Sequence, residues 1–338
     1  MKYIERNANE TRAKTACVVR YGAYGDALWC SPVFEKLKEE GYYVVFNCNE
    51  RCYEIQKRNP LIDCFWVQKD NEYKDLNAHW ENLKLKVDKF VNLSGSIEGN
   101  LLCIPSQPEY KLSKEERHKL FDRNYLDETM LRAGYPEETG RLPKMYFSPT
   151  EQEWAEAFRK KHTGFLVVYS LSGSSYHKTY PYAGNVIQAI LDGLPDATVV
   201  CVGEGAARGI IDSHPRLVDL CGKLGIRKAG LLTQVADLVI SPETYIANAA
   251  SCYETPKIVL LSHSSEENLT KYWKNCLPIV PPVSCYPCHQ LHFDKYSCPI
   301  EEQTQFPVCV ALLHPKLILE RTEMVYEHWK QTRLQILS

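Results

Sequence analysis

Short apolar runs alternate with helix-patterned segments in two successive trains, and this alternation constrains the fold more than any other feature. In the first train ACVVR (16–20), YYVVFNC (42–48), CFWVQ (64–68) and KFVNLSG (89–95) read as strands. In the second, GFLVVYS (164–170), ATVVCVG (197–203), ADLVI (236–240) and PKIVLLS (256–262) do the same. Strands separated by helices pair in parallel through right-handed crossovers. The expectation is two similar α/β halves.

The segments between the strands fit that plan. Leu28, Val33, Phe34 and Leu37 fall near one helical face that Gly41 ends, and residues 50–58 make a short helix closed by Asn59-Pro60. Residues 112–134 read as one long helical region ending in glycine, and residues 135–150, rich in Pro, Gly and polar side chains, as a linker. Further helices are expected over 151–162, 182–192, 227–235 and 244–251, with a last one at about 315–335. The predicted domains are 1–148 and 149–314, with a C-terminal helix, 315–338, packing back toward the first domain.

A length of 338 residues suits two domains. The formal charge of −2 gives no global attraction to nucleic acid or anionic membrane. No apolar run approaches the roughly 20 residues that span a bilayer. The N-terminal stretch MKYIERNANETRAKT lacks the apolar middle of a signal peptide. The expected location is therefore the cytoplasm, where most of the 14 cysteines act as small core hydrophobes.

After the first strand the chain reads CVVRYGAYGDALWCSP (17–32). Gly22 and Gly25 permit a tight turn and close approach to a ligand, at the strand end where open α/β sheets bind. Asp26 then meets the start of a helix. One reading makes it a cap on free N–H groups; the other makes it a catalytic base held in place by the cap. The loop lacks the third glycine of a dinucleotide fingerprint and the G-K-[ST] of a P-loop. In the second half SLSGSSYHKTYP (170–181) follows a strand. Ser172, Gly173, Ser174 and Ser175 expose donors, and Lys178 adds a point charge suited to phosphate. SPETYIANAA (241–250) sets Glu243 and Thr244 at a helix start, where they either cap the helix or meet a diphosphate or ribose.

These stretches together resemble glycosyltransferase family nine, the lipopolysaccharide heptosyltransferases. VVRYGAYGDALWCSPVFEKLK, KRNPLID (57–63), SGSSYHKTYP and SPETYIANAASCYETPKIVLLS match that family's motifs in order. The resemblance implies a GT-B fold: two Rossmann-like domains facing a central cleft, acceptor on the first and sugar nucleotide on the second. It implies an inverting transfer from a nucleotide-diphosphate sugar to an acceptor hydroxyl, with Asp26 as base and Lys178, Ser174, Ser175 and the N–H groups near Thr244 on the diphosphate. Glu243 would bind ribose or sugar hydroxyls, and Gly222 lies in a loop similar to the family's base-binding edge. Asn248 stands where the family has His, Glu243 where it has Asp, Tyr245 and Glu254 where it has Gly. The nucleotide (ADP-, UDP- or GDP-linked) and the sugar stay open. So does the acceptor: a saccharide or lipid-linked saccharide, or nucleic acid as in related folds that modify DNA bases. A sugar-nucleotide binder without catalysis is a further alternative, and an epimerase of the same architecture lacks supporting acids at recognisable places.

No D-x-D occurs, so catalysis is expected to need no metal. Separately, Cys285-x2-Cys288-x9-Cys298-x10-Cys309 suggests a structural zinc, with His289 or His292 able to replace one thiolate.

Overall fold

The computed structural model describes residues 14–69, 75–204 and 213–337. The chain divides into two compact units, each with its own parallel sheet.

The first unit opens with β1 (Thr15–Arg20), α1 (Tyr24–Trp29), α2 (Ser31–Glu39) and β2 (Tyr43–Cys48). It continues through α3 (Glu50–Gln56), β3 (Cys64–Val67), α4 (Leu76–Lys84) and β4 (Lys89–Asn92). The strands lie in the order β3-β2-β1-β4, with Thr15 opposite Tyr43 and Ala16 opposite Lys89. Cys17, Val19 and Val45 pack with Leu83 on one side, and Phe34 meets Phe46 edge-on at 5.0 Å. The helix expected to carry Leu28, Val33, Phe34 and Leu37 and to end at Gly41 is two helices that share Cys30 as their boundary, because Pro32 opens a new first turn. KRNPLID is an anchor here: Asp63 Oδ2 accepts from the N–H of Val44 at 2.7 Å and from Lys38 Nζ at 2.6 Å.

The long helix predicted over 112–134 is two helices, α5 (Lys114–Phe121) and α6 (Tyr125–Arg132). They are parted after Asp122, the C-cap of α5, where Asn124 caps a new start; Ser113 caps α5 itself. They also belong to different units: Gly99–Asp122 groups with the second, and Arg123–Ser148 returns to the first. The boundary drawn at 148 therefore misses an excursion. Residues 135–148 are no free linker, since Arg141 bridges Glu39 and Glu138 and the N–H of Lys144 donates to Ser31 Oγ.

The second unit comprises α7 (Pro149–Lys161), β5 (Phe165–Ser170), α8 (Ala183–Gly193), β6 (Ala197–Val202), β7 (Leu217–Asp219), α9 (Ile226–Val235) and β8 (Leu238–Pro242). It then adds α10 (Tyr245–Ala250), β9 (Lys257–Leu260), α11 (Glu266–Leu269), β10 (Cys276–Ile279), α12 (Val308–Ala311) and α13 (Pro315–Leu337). The six strands run β10-β9-β8-β5-β6-β7, all parallel, which is the doubly wound order of dinucleotide-binding folds. Ile318 and Tyr326 of α13 are buried in the second unit's core, beside α8. Tyr326 Oη donates to Asp196 at 2.9 Å. Among the described residues no helix is long and apolar enough to cross a membrane.

Candidate functional site

In each sheet the first strand has its successor on one side and a later strand on the other, so the crossovers diverge there. Ligands of open α/β sheets bind at such a divergence, beyond the strands' C-terminal ends. In the first unit it lies between β1 and β4; in the second, between β5 and β8. The loops singled out from the sequence occupy both places.

In the first unit Arg20, the last residue of β1, is fully buried. Its Nη1 donates to the carbonyl of Leu93 and approaches Ser96 Oγ at 3.3 Å. Its Nη2 lies 2.9 Å from Asp26 Oδ1 and 3.8 Å from Glu98 Oε2. Asp26 is the third residue of α1, and its Oδ2 accepts from the N–H of Ala23 at 2.8 Å. The cap geometry is therefore present, and the carboxylate is held between a backbone donor and a guanidinium. Gly22 makes that approach sterically allowed: a Cβ there would lie 2.7 Å from Asp26 Oδ2 and 3.1 Å from Arg20 Nε. Gly25 lies in the first turn of α1. Arg20 was not anticipated; an arginine closing a strand carries no spacing signal.

In the second unit the loop after β5 closes on the start of α10. A Cβ on Gly173 would sit 2.7 Å from Lys178 Cβ and 3.0 Å from Thr244 Cγ2, so only glycine lets the three meet. Thr244 caps α10 through Oγ1, which accepts from the N–H of Ile246 at 3.2 Å and lies 2.9 Å from Ser241 Oγ and 3.4 Å from Ser170 Oγ. Ser172 Oγ accepts from the N–H of Glu204, and a Cβ on Gly203 would lie 3.0 Å from it. Gly222, in the left-handed region at φ +63°, donates its N–H to Gly203 O at 2.8 Å. Ser174 is exposed, whereas Ser175 is buried with its Oγ 3.2 Å from His177 Nε2. Asn248 is buried and its Oδ1 has no hydrogen-bond partner among the described residues. These residues are brought together by one sheet edge.

Glu243 behaves differently from the expectation. Its Oε1 accepts from the N–H groups of Ser262 (2.5 Å), His263 (3.0 Å) and Ser264 (3.2 Å) and from Ser262 Oγ (3.1 Å). Its Oε2 lies 2.9 Å from His263 Nδ1. Both oxygens are engaged inside the protein, so this carboxylate fixes the loop after β9 and orients an imidazole. Burial works to raise its pKa, but the His263 ring, Lys178 and the Ser264 bond outweigh it and hold the carboxyl well below the usual range. Burial, against the pull of Glu243, keeps His263 below its ordinary value, and burial with neighbouring His263 and Lys178 does the same to His177. The rings of His177 and His263 meet at 5.0 Å and those of His177 and His292 at 5.6 Å. Sequence reading missed His177 and His263 because nothing in their spacing joins them.

The fourteen cysteines, all among the described residues, stand outside any disulfide. Among the described residues no three of Cys285, Cys288, Cys298 and Cys309 bring their sulfurs within 4.8 Å of one another. Burial pushes the Cys288 thiol up to about 12 and that of Cys298 to about 11. His289 and His292 turn to other partners: His289 Nε2 lies 3.1 Å from His118 Nδ1, and His292 Nδ1 lies 2.8 Å from Tyr110 Oη.

Two Rossmann-like units with these strand orders define the GT-B class of α/β fold. Three among the solved structures that share it match nearly the whole chain. They are a glycosyl transferase family 9 protein from Veillonella parvula (13% identity, 95% of this chain and 100% of that one, TM-score 0.64), the ADP-heptose lps heptosyltransferase II of E. coli (11%, 94% and 99%, TM-score 0.65), and the dodecameric iron-containing heptosyltransferase TibC in complex with ADP-D-beta-D-heptose (13%, 96% and 81%, TM-score 0.60). At these identities the likeness is one of fold, and it agrees with the fold that the sequence resemblance implied. No protein-family model matches the chain. No curated protein matches it either.

Proposed function

We propose that the protein is an inverting glycosyltransferase that moves a sugar from a nucleotide-diphosphate donor to an acceptor hydroxyl. The observation that carries this reading is the closure of Gly173 onto Lys178 and Thr244 at the second sheet's divergence point. It packs the stem of Lys178 against the threonine that caps α10, in a loop that also carries Ser172, Ser174 and Ser175, and these are the residue types that hold a diphosphate. Asp26 takes the proton from the acceptor hydroxyl, and Arg20 with the Ala23 N–H holds its carboxylate in one orientation. The acceptor oxygen attacks the anomeric carbon as the bond to the diphosphate oxygen breaks. Lys178, Ser174 and Ser175 with the Thr244 end of α10 stabilise the negative charge that collects on the departing nucleotide. This chemistry places its positive charge on protein groups and needs no metal at the reacting atoms. Ser172, Gly203 and Gly222 line the neighbouring strand ends as the seat for the nucleoside, and Asn248 Oδ1 supplies an acceptor for a donor hydroxyl. Heptosyltransferases among the solved structures with this fold support the reaction class.

The test is a thermal-melt panel of ADP, UDP and GDP and their sugar conjugates, followed by a transfer assay with saccharide acceptors. One nucleotide class should raise the melting midpoint by mass action. Asp26→Asn should keep that rise and lose transfer, while Lys178→Ala should weaken both. A midpoint unmoved by every nucleotide overturns the reading, and nucleotide binding without hydrolysis or transfer turns it into that of a binder.

A further inference from the structure

We propose that the second unit carries a site for a first-row divalent cation formed by His118, Asp122 and His289, distinct from the cysteine quartet. The three residues each offer one ligand atom, and these atoms all lie within 4.8 Å of one another. His118 stands between the other two: its Nδ1 is 3.1 Å from His289 Nε2 and its Nε2 is 3.5 Å from Asp122 Oδ2. One of these nitrogens takes the ion, and ligand atoms on a tetrahedral zinc with bonds of about 2.0–2.1 Å stand about 3.3 Å apart, so side-chain rotations must close the set from its present 4.8 Å limit. His118 and Asp122 are four residues apart and share one face at the end of α5.

The supports are already in place. Asp122 Oδ1 accepts from Ser265 Oγ, which orients the carboxylate as outer partners of metal ligands do. His289 is fully buried and held on both sides by its backbone: its N–H donates to His263 O at 3.0 Å, and its carbonyl accepts from the Cys103 N–H at 2.8 Å. Arg117, the residue before His118, directs its guanidinium to the carbonyls of Cys288 and Leu112. His118 and Asp122 are partly open to solvent, which gives an ion a path in. Two imidazoles and a carboxylate select zinc, cobalt or iron(II) over magnesium or calcium. The ion would pin α5 to a loop 171 residues away and, through His289, steady the backbone of His263. It touches no group assigned to the transfer chemistry, and its binding does not depend on that reading.

The test uses the full chain, stripped with a chelator, dialysed and titrated with Co²⁺ under reducing conditions. One equivalent should bind with the weak visible bands of nitrogen and oxygen ligation, and Zn²⁺ should displace it and raise the melting midpoint. Outer-shell losses alone cost up to about a hundredfold in metal affinity, so removing a ligand should cost at least about that. His118→Ala, at an exposed helix position, and Asp122→Asn should both weaken binding to this degree, whereas Cys285→Ser should leave it unchanged. Intense thiolate-to-cobalt charge transfer that Cys285→Ser abolishes and His118→Ala spares would overturn the proposal in favour of the cysteines. Absence of saturable binding to well-folded protein would overturn it as well.

Discussion

Replacing Glu243 by Gln tests whether this carboxylate is an internal clamp or a ligand for sugar hydroxyls. The change keeps shape and removes charge from a buried group that accepts four hydrogen bonds on one oxygen and faces His263 Nδ1 with the other. Hydrogen bonds to an ionised partner contribute about 1.5–3 kcal/mol and neutral ones about 0.5–1.5, so a loss near 1 kcal/mol per bond is expected. The new amide also presents a donor to the imidazole. The sum, roughly 3–5 kcal/mol, agrees with the usual cost of removing one member of a buried pair. In a unit of this size that lowers the melting midpoint by roughly 10 °C, readable by calorimetry. The pH dependence supplies a second check. The folded carboxyl titrates below its unfolded value of about 4.3, so its contribution is complete above that pH and fades as pH falls. The gap between wild type and variant should therefore narrow between about pH 5 and pH 3. A loss under about 1 kcal/mol at neutral pH, or a gap constant with pH, would refute the clamp.

Gly173→Ala should cost about 1–3 kcal/mol by overpacking against Lys178 and Thr244, and should weaken nucleotide binding more than Ser174→Ala does; denaturant midpoints and titrations measure both. Arg20→Met should destabilise the first unit by about 3–5 kcal/mol, because the Leu93 carbonyl and the Asp26 carboxylate lose their buried partner; thermal melts read it. His177 and His263 are buried with folded pKa values below the unfolded 6.5 or so, so the stability they lend is present above that pH and lost as pH falls. The urea midpoint should accordingly drop between about pH 7.5 and pH 5.5, and a flat profile would contradict their burial as neutral rings.

The parts of the fold that rest on local periodicity were legible: the eight strands read from apolar runs all exist, within a few residues of their expected ends. The two glycine turns were legible for the same reason, since a turn between a strand and a helix is a local event. What escaped reading depends on contacts distant in sequence. Glu243 read as either a helix cap or a ligand for ribose or sugar hydroxyls, because its donors lie 19 to 21 residues downstream in an unremarkable loop. The long helix of 112–134 was missed as two because its halves answer to different cores, which helical periodicity does not report. His118, His177, His263, His289 and His292 carry no common spacing, and only the second unit's topology gathers them.

The excursion of Gly99–Asp122 also bears on how the protein is made. When a ribosome has emitted the last residue of the first unit, Ser148, that unit's sheet is complete, yet it ends with a stretch in its middle whose partners do not exist. Cys103 must wait for His289, and Phe121 for Asn268, before their backbone groups are satisfied. The nascent protein therefore exposes this stretch through the synthesis of well over a hundred further residues, an interval in which a chaperone has a defined target. A fragment begun at Pro149 would lack part of its own wall, so dissection of this protein into halves calls for grafting that stretch rather than cutting once.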